Sequence, residues 1–461
     1  MGCANRTRRF SGPALGGALA LALGAVAGCV PNIPDTPPAT YLEMQFDPKA
    51  SPPKAPQPTV LAINAETGLI DLSVAGIIVP TDCATAPYAV PPATPMAVAS
   101  CEFDTYLQSL DGFPTVITGS APVSGELDPR RIVIGQNLFV YNHTAKETAT
   151  ELETGFDVAT SALTFGPRTS WDLKSVYTVA VRGYVDAGVR GVRGEYVTGS
   201  LAYFLLKKPD SLTCGAVGTV PESCPYYQLL SSSLPADEVS PTLNDLETLR
   251  EQLNDLGVWA DVEGSGGWRR DEVAIAWSFP THSASVVELL PPNGLKPAVV
   301  GTNGLSLKVK GTIDPTTLKP DIHAGDNGSV LLVNAIKLQA NPDDPEAFPE
   351  FTVDYSGGSI VLTTTAPLGE GYLYILVLTD AITDAAGVRI VPSPLTVMLR
   401  ASDSLVDADR KSLITGVGDT DAMTAELGRE NLADFVTYLD VDRGIPRAHI
   451  AYLYGFTYPN P

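Results

Sequence analysis

Four histidines, four tryptophans and several acidic loops carry the side chains of this chain that could catalyse, stack or ligate. His143, His282, His323 and His449 are scattered, and none falls in H-E-x-x-H or a similar metal-ligating pattern. His282 stands between Thr281 and Ser283, so a Ser–His pair would have to be assembled from distant loops. Asp440 and Asp442 precede Gly444, Asp419 and Asp421 lie in GVGDTDA, and Asp321, Asp326 and Asn327 share a glycine-containing loop. Such loops offer the oxygens that a structural calcium ion takes, although none has EF-hand spacing. Solvated loops are the plainer reading, and no other cofactor is expected. Trp259 and Trp268 flank ADVEGSGG, a glycine-rich stretch that reads as an exposed loop, which makes them the candidate contact surface. Trp277 alternates with apolar residues and reads as core. The stretch Gly-Ser-Gly-Gly lacks the trailing Lys-Ser/Thr of a phosphate loop. No G-x-S-x-G nucleophile elbow occurs in the chain.

The chain that must position these residues has 461 of them, 44% hydrophobic, enough for two or three cored domains. Its formal charge of −22 argues against a nucleic-acid partner, whose phosphates demand lysine and arginine. It also argues against electrostatic docking on anionic lipid. The start carries Arg6, Arg8 and Arg9 and no acid, then an apolar run from Pro13 to Ala27. That run is short for a membrane span and suits a secretory signal. Val26-Ala27-Gly28-Cys29 resembles a bacterial lipobox. The resemblance implies cleavage before Cys29, so that residues 1–28 leave as a lipoprotein signal peptide and the Cys29 thiol takes a diacylglycerol. Buried acyl chains at about 0.8 kcal/mol per methylene then anchor the protein in the membrane. Val30, where an aspartate would signal inner-membrane retention, favours the outer membrane.

Cys3 leaves with the signal. Cys83, Cys101, Cys214 and Cys224 remain in an oxidising compartment. Four cysteines allow three pairings. Cys83–Cys101 and Cys214–Cys224 are expected, because each pair brackets a short Pro- and Ser-containing excursion. Without a C-x-x-C or a nearby histidine, zinc is not expected.

Residues 29–58 are dense in proline (PNIPDTPP, SPPKAPQP) and read as a tether, with Phe46-Asp47-Pro48 as a piece that could dock. Behind it the chain repeats itself. VSGELDP, LKKPDSL and RDEVAIAWSF occur in that order, and so do VKGTIDP, LRASDSL and RAHIAYLYGF. The expected domains are therefore 59–283 and 284–461. Each opens with strands, of which SVYTVAV and YLYILVL suit central positions. Each then turns helical. Ser240 is the expected N-cap and Pro241 the first helical residue, followed by a stripe of Leu243, Leu246, Leu249, Leu253 and Leu256 and a stop at Gly257. Leu432, Phe435, Val436 and Leu439 form the matching face, followed by Gly444. Each closes with an alternating strand: Val273, Ile275, Trp277, Phe279, and Ile450, Tyr452, Tyr454, Phe456. The expected fold class is mainly β, a sandwich with one or more covering helices in each of two tandem repeats.

Leu110 to Pro129, LDGFPTVITGSAPVSGELDP, resembles the opening of the Ig-like module that precedes the catalytic domain in some surface-exposed bacterial lipases. Phe46-Asp47-Pro48 and Gly68 to Leu72 are similar to its earlier markers, and Ala276 to Ser283 to its closing strand. Pro280 stands where that family has threonine, and Pro114 where it has serine. The second unit resembles the SbsA-type Ig-like sandwich. The resemblance implies an Ig-like fold, and without the nucleophile elbow it implies the accessory module and no enzyme. The expected function is a lipid-anchored protein of the bacterial cell envelope that acts as a structural or binding module for adhesion, an envelope protein or a polysaccharide. The alternative is an accessory subunit or divergent member of a secreted ester-hydrolase (lipase) system.

Overall fold

The runs SVYTVAV and YLYILVL become middle strands of two antiparallel sheets, as their unbroken apolar character requires. The computed structural model describes residues 41–458, apart from 51–52, 76–78, 80–82, 84–88, 91–93, 96, 217, 288–297, 301–303, 322–327, 343 and 415. Cys29, His323, Asp326 and Asn327 lie outside the described residues. The strands of the first half are β1 (Gly119–Pro122), β2 (Leu138–Asn142), β3 (Leu152–Asp157), β4 (Ala162–Pro167), β5 (Val176–Arg182) and β6 (Val273–Pro280). They pair in the orders β1-β4-β3 and β2-β5-β6. The second half has β7 (Ala298–Val300), β8 (Gly304–Lys308), β9 (Val330–Asn334), β10 (Phe351–Ser356), β11 (Ser359–Thr364), β12 (Leu373–Thr379) and β13 (Ile450–Thr457). These pair as β7-β8-β11-β10 and β9-β12-β13. With β7 and the two-residue strand Glu147–Thr148, which pairs with β2, set aside, the strand order of these sheets is the same in both halves. The closing strands share a further detail: β6 slips against β5 between Val273 and Ile275, and β13 slips against β12 between Ile450 and Tyr452. Each slip is a bulge of one residue, at Ala274 and Ala451.

The helices are α1 (Val98–Gln108), α2 (Leu201–Leu206), α3 (Ala236–Asp255), α4 (Ala335–Ala340), α5 (Pro394–Leu399) and α6 (Asp419–Val441). The fold is mixed α/β, which corrects the expectation of a mainly β chain; α3 and α6 run for 20 and 23 residues. Helix α3 starts at Ala236, before the expected Ser240 cap. Asp237 and Glu238 occupy its first turn, where the helix dipole favours acids. Pro241 lies inside the helix, and the Ser240 hydroxyl instead accepts the Val220 N–H at 3.1 Å. Leu243 and Leu246 are buried, and Leu249, Leu253 and Leu256 pack against the same core. Gly257, at φ +71°, ends the helix in the left-handed conformation that glycine takes without strain. On α6, Phe435, Val436 and Leu439 are buried. Strand β6 is covered on both faces, so Val273 through Phe279 are all buried, whereas Tyr454 and Gly455 of β13 are half-buried; the expected one-sided alternation does not hold.

Ala39–Pro461 forms one compact unit. Val397, Met398, Ala401 and Leu405 of the second half join the core of the first. Glu102 on α1 accepts the Ser402 hydroxyl at 2.6 Å and its N–H at 3.1 Å. The Lys310 ammonium donates to the Ser170 hydroxyl at 2.6 Å. The expected tether also ends early. Leu42–Met44 pairs in parallel with Val197–Gly199, and Gln57 bridges Ser120, so residues from Tyr41 onward belong to the body. Disulfides join Cys83 to Cys101 and Cys214 to Cys224. Among the described residues no helix is long and apolar enough to cross a membrane.

Candidate binding groove

Two buried clamps fix the long helices against the short ones. After α2, the Leu212 N–H donates to Glu247 Oε2 at 2.8 Å, and Arg250 one turn along α3 grips both Glu247 oxygens at 2.8 Å. After α5, the Leu405 N–H donates to Glu426 Oε2 at 2.9 Å, and Arg429 on α6 grips that carboxylate at 2.8 and 2.7 Å. The arginine bonds hold both carboxyls below the usual carboxylate range, against the opposing effect of burial. The sequence signal, D-S-L followed by E-x-x-R-E in each half, was available in Asp210 to Leu212 with Glu247 to Glu251, and in Asp403 to Leu405 with Glu426 to Glu430. A basic residue then ties each short helix to its closing strand. Lys207 donates to the Val273 carbonyl at 3.0 Å, and Arg400 to the Ile450 carbonyl at 2.5 Å. Burial pushes the Lys207 ammonium down to about 8 and the Arg400 guanidinium down to about 10.

These ties set a trough between the long helix and the closing strand in each half. Counted from Glu247 and Glu426, Leu249, Gln252, Leu253 and Leu256 of α3 stand where Gly428, Asn431, Leu432 and Phe435 stand on α6. Counted from the bulges, Ala276, Trp277 and Ser278 stand where Leu453, Tyr454 and Gly455 stand. Both sets line a cavity, and the two cavities differ in what fills them. In the first half Phe46, Thr59, Val60 and Leu61 lie in the trough and leave about 20 Å³. Trp277 donates its indole N–H to the Pro58 carbonyl at 2.9 Å, and the Phe46 ring meets Tyr203 at 6.0 Å. In the second half the trough is an open groove of about 990 Å³, extended by Leu338 of α4 and Leu373 of β12. That volume is at the upper end for small-ligand sites and is predominantly apolar in its side chains. Such a lining can hold an apolar segment. Its polar groups are Thr424, Asn431, Asp434 and Tyr438 on α6, Gln339 on α4 and Tyr454 on β13.

The expected contact surface is corrected. Trp259 and Trp268 are buried, at 1% and 4% exposure, and cannot meet a partner. Trp268 packs on Phe139, with ring centres 5.7 Å apart, and Trp259 lies under the Arg270 guanidinium at 5.0 Å. Between them Asp261–Ser265 forms a turn of π-helix, and Glu263, Gly264, Ser265 and Gly267 are exposed while both flanking rings turn inward. Buried Asp261 accepts from the Thr178 hydroxyl at 2.7 Å and lies 2.8 Å from His143 Nδ1. His282 is buried at the junction of the halves, and desolvation pushes its imidazole down to about 4. His449 is exposed beside Asp380, at 3.0 Å. Three of the five described candidate calcium acids serve ion pairs: Asp419 with Lys411 at 2.8 Å, Asp440 with Arg447 at 3.7 Å, and Asp321 with Arg443. Among the described residues no group of three or more His, Cys, Asp or Glu is gathered to hold a metal ion.

No protein-family model and no curated protein matches the chain. Among solved structures, the chain is similar to the N-terminal part of the bacterial S-layer protein SbsC at 12% identity and TM-score 0.17, over 36% of this chain and 29% of that one. A second SbsC structure aligns at 13% identity and TM-score 0.18, over 36% of this chain and 19% of that one. A third, of SbsC domains 1–6, aligns at 13% identity and TM-score 0.17, over 41% and 20%. The chain thus spans less than a third of the structures it matches, and likeness at this level fixes neither its fold nor its function.

Proposed function

We propose that this chain is a lipid-anchored protein of the bacterial cell envelope that binds a partner protein through the groove of its second half and catalyses no reaction. One observation carries the reading: equivalent troughs are filled by the chain's own residues in the first half and open in the second. The body is read as two copies of one Ig-like module. The common strand order, the common bulge and the paired Glu–Arg clamps support that reading. The arginine-bearing start, the apolar run and Cys29 support the lipid anchor, with the outer membrane as the destination. The apolar lining favours a protein partner over a polysaccharide, whose hydroxyls need a denser set of hydrogen-bonding groups.

The test uses the compact unit Ala39–Pro461 and the solvatochromic dye Nile red. Wild type is expected to give blue-shifted fluorescence that saturates at one site. Asn431→Trp, which fills the groove from the exposed side of α6, abolishes it, and Gln252→Trp at the matching place on α3 does not. Dye fluorescence that never saturates, or that Asn431→Trp leaves unchanged, sinks the reading.

A further inference from the structure

The first half contains a worked example of what the second-half groove accepts. Its trough is covered by a proline-containing stretch, with Asp47 bridged to Lys54 and a 3-10 turn at Val60–Ala62, whose apolar side chains Phe46, Val60 and Leu61 lie between helix and strand. The stretch is held by one backbone carbonyl, that of Pro58, on the Trp277 indole. A lysine on it, Lys49, pairs with Asp245 on the outer face of α3. In the second half β7 pairs antiparallel with β8, Val300 against Gly304. No counterpart of Thr59 to Leu61 lies over that groove among the described residues.

The receiving features are nonetheless kept. Tyr454 stands in the Trp277 position with its hydroxyl as the polar tip. Leu432 and Phe435 provide the apolar wall, and Leu427, 58% exposed, extends an apolar edge beyond it. Asp434 lines the groove and offers a negative charge to a lysine, at a different place along the helix from Asp245, which by the same count falls at Thr424. Gly428 replaces Leu249 and widens the trough.

We propose that the groove between α6 and β13 receives a proline-containing, lysine-bearing segment of a partner protein, with apolar anchors of the kind that residues 41–63 present in the first half. This rests on the reading of the groove as a binding site. The binding mode is that of an apolar peptide laid across a preformed trough, with two or three side-chain anchors and a backbone carbonyl for register.

The probe is a fluorescein-labelled synthetic peptide with the sequence of residues 41–63, YLEMQFDPKASPPKAPQPTVLAI, titrated into Ala39–Pro461 and followed by anisotropy. Wild type is expected to bind one peptide. Asn431→Trp weakens binding by about tenfold or more, Asp434→Lys weakens it in a salt-dependent way, and Gln252→Trp leaves it unchanged. Circular dichroism melts of each variant report whether the fold is kept. Saturable Nile red binding without peptide binding would leave the groove standing as a site and overturn the segment assignment. Peptide binding indifferent to Asn431→Trp overturns it as well. A concentration-dependent dimer, dispersed by Asn431→Trp in sedimentation, would assign the groove to a second copy and likewise overturn it.

Discussion

Trp277 binds Pro58 across 219 residues of sequence, indole N–H to carbonyl oxygen at 2.9 Å. The bond locks the stretch before Thr59 into the first-half trough, beside buried Phe46. Trp277→Phe keeps most of the apolar volume and leaves the Pro58 carbonyl without this donor. A loss of about 1 kcal/mol in urea unfolding is expected, together with faster amide exchange at Leu61 and Ala62. Unchanged stability and unchanged exchange would show that apolar packing alone seats the stretch.

The Glu–Arg clamps act as a unit in each half. Glu426 and Arg429 are largely buried, at 8% and 13% side-chain exposure. Glu426→Leu strands the guanidinium and the Leu405 N–H and is expected to destabilise by about 3 kcal/mol. Glu247→Leu should cost a similar amount, because Glu247 holds Leu212 in the same way. The double variant with Arg429→Met should recover part of the first loss, since it removes the orphaned charge. Additive losses in that cycle would contradict a coupled clamp.

His282 makes stability depend on pH. Its folded value of about 4 lies below the ordinary 6.5, chiefly from burial, with Asp111 opposing and Lys310 reinforcing the shift. The unfolded chain therefore takes up a proton that the folded chain refuses. The His282 contribution is complete above pH 6.5 and is lost as pH falls through that value toward 4, on the order of 3 kcal/mol over the window. Carboxylates held low, such as Glu247 and Glu426, also weaken the fold in acid, so the informative quantity is a difference. His282→Gln should lose less stability than wild type between pH 7 and pH 4.5. Parallel pH profiles for the two proteins would remove His282 from the account.

How much could be read beforehand depended on how local the signal was. SVYTVAV and YLYILVL were legible as central strands because unbroken apolar runs have few other uses. The turns after Asp128 and Asp314 were legible from Asp-Pro, and in both the aspartate accepts the N–H two residues on. The start of α3 was not, because Ser240-Pro241 imitates a cap while Asp237 and Glu238 supply an earlier first turn. Trp259 and Trp268 were misplaced because the glycines between them are exposed as their composition suggests, while the flanking rings pack inward on Arg270 and Phe139. The groove was illegible for a different reason. It lies between α6 and β13 and shows only when the two troughs are aligned, one lined by Thr59 to Leu61 and the other without a counterpart to them among the described residues.

The proposed anchor has a direct chemical test. In bacteria producing the full chain, labelled palmitate should enter wild type and should not enter Cys29→Ala. Equal labelling of both proteins would exclude Cys29 as the acylated residue.

Hydrogen–deuterium exchange of Ala39–Pro461, with and without the peptide of residues 41–63, tests the central claim most directly. The account expects new protection confined to residues 424–438 on α6 and 450–457 on β13, with 243–256 and 273–280 unchanged because their trough is already filled. Protection appearing in the first-half trough instead, or nowhere at saturating peptide, would contradict it.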